Sequence, residues 1–132
     1  MKKMKTGNDM IIKRGEVYKF RVSRKETEGT EQQKNRPAVI ISTNRLNKKK
    51  VRYVAVPITS KKFDLIRDFE FPVLVEGKRG KALCDQVRVY NKSRIIRKMG
   101  NLSEREMKEI GERVLYLLDF DELVDLYWEI YG

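Results

Sequence analysis

The side chains best suited to catalysis in this sequence are an arginine and a threonine, each placed where a short apolar run begins or ends. Arg36 precedes Pro37 and the apolar residues 38–41, and Thr59 follows Ile58 at the end of a second run. Proline restricts its own backbone and that of the preceding residue, so Arg36 leaves the chain from a rigid position. A guanidinium held in this way forks onto two phosphate oxygens, which a lysine cannot do. Taken alone, however, Arg36 is better explained by a surface salt bridge and Thr59 by an ordinary strand end.

Several other kinds of catalytic and metal site lack the residues they require. The chain has no histidine, which excludes histidine-dependent nucleases, hydrolase triads and histidine metal ligands. A single cysteine, Cys84, provides neither a thiolate zinc site nor an internal disulfide. The common glycine-rich phosphate loops are also missing. We therefore expect an active site without metal or cofactor, built from arginine, hydroxyl and amide groups and at most one carboxylate.

The charge of the chain is strongly asymmetric. Residues 1–100 hold 27 Lys and Arg against 10 Asp and Glu, a net charge of +17, whereas residues 101–132 hold 3 against 9, a net charge of −6. A basic body of this kind indicates a polyanionic partner such as nucleic acid, although charge alone fits a heavily solvated surface equally well. The basic start lacks the apolar stretch of a signal peptide, and no window approaches the length of a membrane span. We therefore expect a soluble, cytoplasmic protein.

Hydrophobic alternation, with glycine and proline as punctuation, predicts the strands that hold these residues. Short strands are expected near residues 14–22, 37–41, 51–56, 69–75 and 82–90. Pro57 is expected to end the third strand because it cannot donate a hydrogen bond to a ladder. Residues 23–35 are polar and predict an exposed loop, and residues 93–98 fit either a short helical turn or a strand.

The C-terminal part is predicted to be helical. Ser103 and Glu106 have the spacing of a capping box. Apolar residues then recur at steps of three and four on one face, namely Met107, Ile110, Val114, Leu117 and Leu118. Strands followed by helices predict an α+β fold, a small, strongly bent antiparallel sheet or barrel with a C-terminal helix packed on it. The length fits one domain, expected at residues 14–132 after a flexible basic N-terminus at residues 1–13.

Five collinear segments carry a resemblance to a known family. In chain order they are Arg14-Gly15-Glu16-Val17, Gly29-Thr30-Glu31-Gln32, Arg36-Pro37-Ala38-Val39-Ile40-Ile41-Ser42, Val56-Pro57-Ile58-Thr59-Ser60 and Leu83-Cys84-Asp85-Gln86-Val87-Arg88. Their order and spacing resemble those of the MazF/PemK toxins over residues 14–118. The resemblance implies an SH3-like small antiparallel β-barrel of the PemK/CcdB type with C-terminal helices, assembled as a homodimer.

The resemblance also implies a reaction. It is the metal-independent, sequence-specific cleavage of single-stranded RNA by a type II toxin–antitoxin toxin, in which the ribose 2′-hydroxyl attacks and leaves 2′,3′-cyclic phosphate and 5′-hydroxyl ends. The family's catalytic arginine falls on Arg36 and its catalytic threonine on Thr59. Both suit the chemistry, because negative charge concentrates on phosphoryl oxygens in the transition state. Glu31 is a candidate base for the 2′-hydroxyl, although a solvated loop carboxylate explains it at least as well.

The same segments supply candidate RNA-binding residues. Gln86 and Arg88 lie two apart on one expected strand and therefore face the same way, with a structural ion pair as the alternative. The remaining candidates flank the two catalytic positions and are Gln32, Lys34, Asn35 and Ser60. The partners implied are single-stranded RNA and an antitoxin, which the basic body predicts to be acidic.

Two other functions fit a chain of this kind. One is a CcdB-like poison of DNA gyrase, a protein-binding toxin of the same fold; that group lacks the Glu-Gln, Arg-Pro and Ile-Thr segments found here, which disfavours it. The other is a non-catalytic RNA-binding barrel, favoured only if Arg36 or Thr59 is misplaced.

Overall fold

The computed structural model describes residues 11–22 and 35–131, which form one antiparallel sheet followed by helices. The strands are β1 (Glu16–Phe20), β2 (Arg36–Ile40), β3 (Arg52–Thr59), β4 (Glu70–Val75), β5 (Lys78–Leu83), β6 (Arg88–Asn91) and β7 (Ile95–Asn101). The helices are α1 (Asn44–Asn47), α2 (Glu104–Leu117) and α3 (Val124–Tyr131). The predicted α+β class, with a bent antiparallel sheet and C-terminal helices, is confirmed. Within the described ranges, no helix is long and apolar enough to cross a membrane.

The sheet runs in the order β4-β5-β3-β2-β1-β7, with β3 as its long central strand. On one side β3 pairs with β2. On the other side its first half pairs with β6 and its last two residues pair with β5. The sheet curls enough to bring its two edges together, because Glu76, directly after β4, forms an ion pair with Arg97 on β7.

The expectation that Pro57 ends the third strand is wrong, since β3 continues through it to Thr59. Strand geometry explains why the missing donor is tolerated. The Val54 carbonyl accepts a hydrogen bond from the β2 side and the Val51 carbonyl from the β6 side. Because these directions alternate along a strand, the nitrogen of Pro57 points away from β2. It points into the gap between β6, which pairs with β3 as far as Ala55, and β5, which pairs from Ile58.

Alternation along the central strands divides the apolar side chains into two buried clusters, one on each face of the sheet. One cluster lies towards α2 and includes Val39, Val56, Val73 and Ile110. The other is rich in aromatic residues and includes Tyr18, Phe20, Ile40, Tyr53 and Tyr90. In the second cluster the rings of Phe20 and Tyr90 stack with centroids 4.2 Å apart. These two clusters pack against both faces of the central strands and hold them in place as far as Arg36 and Thr59, the candidate residues at the strand ends.

The capping box that was predicted at the start of α2 is present. The Ser103 hydroxyl accepts from the Glu106 amide at 3.0 Å, and the Glu106 carboxylate accepts from the Ser103 amide at 2.7 Å. The predicted apolar face is confirmed in its first half, because Ile110 is buried and Met107 and Val114 pack on the core. Leu117 and Leu118, at the C-terminal end of α2, are instead exposed.

The single strand expected at residues 82–90 is wrong. The chain forms β5 as far as Leu83, a 3-10 turn at Cys84–Gln86, and then β6. The turn lets the chain leave one half of β3 and rejoin the other. Residues 93–98 fall in a 3-10 turn followed by β7, so both of the predicted alternatives contribute.

Candidate active site

A pocket of about 500 Å³ opens where β2 begins and β3 ends. Among the described residues its lining is strongly cationic, with one carboxylate, Glu76, against six basic side chains: Lys19, Arg36, Lys61, Lys78, Arg79 and Arg97. Hydroxyl and amide groups complete the polar lining, from Thr59, Ser60, Asn35 and Gln86. A concave surface with this excess of positive charge suits a phosphodiester chain.

Arg36 and Thr59 occupy neighbouring positions at the mouth of this pocket. The β2–β3 register pairs Ile40 with Ala55 and Ala38 with Pro57. Continued by two residues, it places Arg36 opposite Thr59. Residues two positions apart on a strand project to the same side of the sheet. Both side chains therefore project from the same face, and Arg36 is exposed whereas Thr59 is partly buried.

The hydroxyl of Thr59 is oriented by the backbone that follows it. Thr59 Oγ1 accepts a hydrogen bond from the Lys61 amide at 3.1 Å. A hydroxyl has one proton to donate and two lone pairs, so this bond leaves the proton available. Gly80 on β5 allows the neighbouring strand to lie close, because a Cβ atom there would come within 2.9 Å of the Thr59 carbonyl oxygen. Thr59 is thus held from two sides with its proton free for a ligand.

A buried ion pair anchors the loop that follows Thr59. The Lys81 ammonium donates to the Leu65 carbonyl and to the Glu70 carboxylate, both at 2.8 Å. The two charged side chains are only 6% and 12% exposed. Because Lys81 is also the β5 partner of Thr59, one residue links the threonine strand to the loop beyond it.

Of the predicted site residues, the structure brings together five: Arg36, Thr59, Asn35, Ser60 and Gln86 all line the pocket. Arg88 is not among the described residues of the lining. It begins β6, and its guanidinium lies over the Tyr90 ring, 5.2 Å from the centroid. Gln86 and Arg88 therefore do not share one strand face as expected, because the 3-10 turn ends between them. Glu31, Gln32 and Lys34 lie outside the described residues.

Five of the pocket's basic residues were missed by the sequence analysis, namely Lys19, Lys61, Lys78, Arg79 and Arg97. Lys19 pairs with Arg97 across β1 and β7, strands that are separated by more than 70 residues in the chain. The only sequence signal was the general excess of Lys and Arg, which does not identify individual residues.

A second cavity, about 670 Å³, lies between the start of β4 and α2 and differs in charge. Two basic residues face six acidic ones there: Arg67 and Arg113 against Asp68, Glu70, Glu109, Glu112, Asp119 and Asp121. No group of three metal-ligating side chains forms among the residues that the structure describes. An acidic cavity repels a polyanion, so charge favours the smaller pocket as the site for nucleic acid.

The lone cysteine takes no part in either cavity. Cys84 is fully buried in the core cluster, and burial raises the pKa of its thiol to about 12. A thiol in this state is not a nucleophile at neutral pH. Chemistry in the cationic pocket therefore does not use this thiol.

The order of the segments that form the pocket is that of a known family. The family model of PemK-like, MazF-like toxins of type II toxin–antitoxin systems matches residues 13–118. The chain belongs to this family. The match includes every described residue that lines the cationic pocket and ends just after α2, so α3 lies beyond it.

Individual relatives agree with this assignment. The chain is 30% identical over 112 residues to Endoribonuclease MazF of Staphylococcus saprophyticus, covering 79% of this chain and 88% of that protein. It is 28% identical over 120 residues to Endoribonuclease MazF9 of Mycobacterium tuberculosis, covering 83% and 98%. Among solved structures, MazF of Deinococcus radiodurans superposes with a TM-score of 0.70 at 23% identity, covering 84% of this chain and 99% of that one. This last likeness supports the fold.

Proposed function

We propose that this protein is the toxin of a type II toxin–antitoxin system and an endoribonuclease that cleaves single-stranded RNA. Its family consists of such toxins, and relatives that cover most of the chain are named endoribonucleases. The observation that carries the proposal is that Arg36 and Thr59 both line a pocket to which six described basic side chains contribute. A phosphodiester in that pocket meets a charged fork and a hydroxyl donor together.

The proposed reaction needs only groups of the protein and the RNA. The ribose 2′-hydroxyl gives up its proton to a base and attacks the adjacent phosphorus, and the bond to the 5′ oxygen breaks. The leaving oxygen takes up a proton, which yields a 2′,3′-cyclic phosphate and a 5′-hydroxyl. Arg36 and Thr59 donate hydrogen bonds to the phosphoryl oxygens, where charge builds up in the transition state. Glu31 remains our candidate for the base.

Recognition of the RNA sequence falls to the polar residues around this pair. Asn35, Ser60 and Gln86 line the pocket, and their side chains can donate and accept hydrogen bonds at base edges. Gln32 and Lys34 remain candidates in the preceding segment. Arg88 remains a candidate only for a more distant contact, because its guanidinium packs on Tyr90.

The proposal includes the setting in which the protein works. Residues 14–132 act as a single toxin domain that follows a basic segment at residues 1–13, and two copies form a homodimer in the cytoplasm. The antitoxin inhibits the toxin through an acidic segment that competes with RNA for the cationic pocket. A solved structure of MazE–MazF from Deinococcus radiodurans superposes on this chain with a TM-score of 0.67 at 22% identity. Because the acidic segment binds the pocket through its charge, RNA and rising salt should both displace it.

Thr59 offers a sharp test of this function. Thr59→Val keeps the shape but removes the hydroxyl, and it should slow cleavage of a long RNA by about 100-fold or more, as loss of one transition-state donor does. Thr59→Ser keeps the hydroxyl and should retain most activity. Equal cleavage by the valine and serine variants would remove Thr59 from the mechanism. A wild-type protein that binds RNA but does not cut it would instead support the non-catalytic RNA-binding barrel.

A further inference from the structure

The wall of the cationic pocket contains a carboxylate that is surrounded by basic groups. The Arg97 guanidinium grips Glu76 with a fork, NH1 to Oε2 at 3.1 Å and NH2 to Oε1 at 3.3 Å. The hydrogen bond from Arg97, with smaller contributions from the charges of Lys19 and Lys78, lowers the pKa of Glu76. All four residues line the pocket that holds Arg36 and Thr59. Three basic side chains around one carboxylate leave an excess of positive charge.

The backbone at Glu76 is unusual for this residue type. Glu76 and Gly77 form a two-residue turn between the paired residues Val75 and Lys78. Their φ angles are 51° and 74°, so the backbone of both residues lies in the left-handed region. Turns of this kind favour Asn, Asp or Gly at the first position, because a residue with a longer side chain is strained there. Glutamate is not among the residues that this turn favours, although Lys50, Lys62 and Phe69 also have a positive φ in this chain.

From this geometry we propose that Lys19, Lys78 and Arg97 form a binding subsite for an RNA backbone phosphate next to the scissile one, and that Glu76 occupies the subsite until RNA displaces it. This inference rests on the proposed function. A guanidinium fork matches phosphate as well as carboxylate. The Arg97 and Glu76 side chains are 47% and 41% exposed, and ion pairs that are this exposed are weak. A phosphate can therefore replace the carboxylate at little cost.

The Glu76–Arg97 ion pair lies close to Arg36 in the sheet. Glu76 follows edge strand β4 and Arg97 lies on the opposite edge strand β7. Arg97 pairs with Lys19, which pairs in turn with Pro37 beside Arg36. The Glu76–Arg97 ion pair thus joins the two edge strands at the pocket wall, and only β1 separates Arg97 on β7 from Pro37 on β2.

Binding of a 2′-O-methyl RNA oligonucleotide tests this subsite, because such RNA has no 2′-hydroxyl and cannot be cut. Glu76→Gln should tighten binding by about threefold or more, since the carboxylate competitor is lost. Arg97→Ala should weaken binding by about tenfold, the size expected of one charged hydrogen-bonded contact. It should also lower the slope of log K against log salt by about 0.7, the value of one phosphate on a single strand.

Lys98→Ala is the matched control. Lys98 is next to Arg97 on the same strand and pairs with Glu16 at 2.7 Å, but it is not among the pocket-lining residues that the structure describes. It should leave affinity and salt slope nearly unchanged. Glu76→Gln that binds RNA no more tightly than wild type, or Lys98→Ala that weakens binding as much as Arg97→Ala, would overturn the subsite. Cleavage of unmodified RNA by the wild-type protein separates these outcomes from failure of the proposed function, in which no RNA is cut at all.

Discussion

Arg36 and Thr59 both line the cationic pocket at the open end of the β2–β3 ladder, each two positions beyond its last pair, Ala38 and Pro57. Two prolines create this arrangement. Pro37 has no N–H with which to continue the ladder, and the nitrogen of Pro57 points towards the gap between β5 and β6. The strands therefore stay together as far as the prolines and then release their last side chains to the pocket. The catalytic proposal depends on this shared edge.

Arg36→Ala should lower the cleavage rate of bound RNA by about 100-fold or more, while affinity changes much less, because its donors act mainly on the transition state. Arg36→Lys should recover little, since lysine lacks the fork. Single-turnover rates at saturating RNA measure this effect directly. Arg45→Ala, an exposed change of the same charge on α1, is the control. A normal single-turnover rate with weakened binding would show that Arg36 is a clamp and not a catalyst.

Gly80→Ala should reduce cleavage because the added Cβ comes within 2.9 Å of the Thr59 carbonyl oxygen, so β5 and the end of β3 must move apart. Gly15→Ala is the matched control. Gly15 has a φ of +94°, so alanine is strained there as well, but the nearest atom is in Met107 and the residue hydrogen-bonds to the far end of β2. Both variants should lower the melting temperature. If the two variants cleave at the same rate well below their melting temperatures, the close approach at Gly80 does not position Thr59.

Lys81→Ala should destabilise the protein by roughly 2 kcal/mol, because the partly buried Glu70 carboxylate loses its ion-pair partner and keeps only the hydrogen bond from the Arg67 amide. Arg105→Ala breaks the ion pair with Glu109, in which the Arg105 side chain is 82% exposed, and should cost no more than about 1 kcal/mol. Urea denaturation of the two variants compares the pairs. Similar destabilisation by both would contradict the role given to Lys81.

The same ion pair predicts how stability depends on pH. Burial raises the pKa of Glu70, but hydrogen bonds from Lys81 and from the Arg67 amide outweigh it, so the pKa is lowered from 4.5. A lowered pKa in the folded state means that the pair contributes its full stability above pH 4.5, and that this is lost as the pH falls through the folded-state value. In Glu70→Gln the acid loss of stability should be shallower than in wild type. An identical pH profile for the two proteins would remove Glu70 from the acid response.

Gly111→Ala should destabilise the protein, although this change in a helix normally stabilises by about 0.5–1 kcal/mol. The added Cβ atom would overlap the Tyr127 hydroxyl. This hydroxyl donates a hydrogen bond to the Lys108 carbonyl at 3.2 Å and so joins α3 to α2. In the background of Tyr127→Ala the sign should reverse, and the extra alanine should stabilise. Thermal unfolding of the four proteins in this cycle measures the coupling. Additive effects would contradict tight docking of α3 at Gly111.

The sequence was most informative where a feature depends on local chemistry. Three such features follow from neighbouring residues, and the structure agrees with each. They are the capping box at Ser103, the alternation through Phe71 and Val73, and the start of a strand at Arg36 and Pro37. The prediction that the strand ends at Pro57 was wrong, because the missing N–H of a proline matters only where a partner strand lies opposite it. The partner of β3 changes at that point, which no local pattern reveals.

The same reasoning explains what was missed in the pocket. Lys19 and Arg97 meet because β1 pairs with β7, and Glu76 reaches Arg97 only because the sheet curls until its edges touch. Long-range pairing and curvature of this kind depend on the whole fold. Gln86 and Arg88 were placed on one strand because the 3-10 turn at Cys84–Gln86 has no glycine or proline to mark it.

Cleavage of a long single-stranded RNA in the presence of EDTA, with chemical mapping of the new ends, tests the central proposal most directly. The mechanism uses Arg36 and Thr59 as donors and the RNA's own 2′-hydroxyl as nucleophile, so cutting should continue with all divalent metal chelated. Each break should carry a 2′,3′-cyclic phosphate on one side and a 5′-hydroxyl on the other. RNA that stays intact in EDTA and is cut only after magnesium is added, or breaks that carry 5′-phosphates, would contradict it.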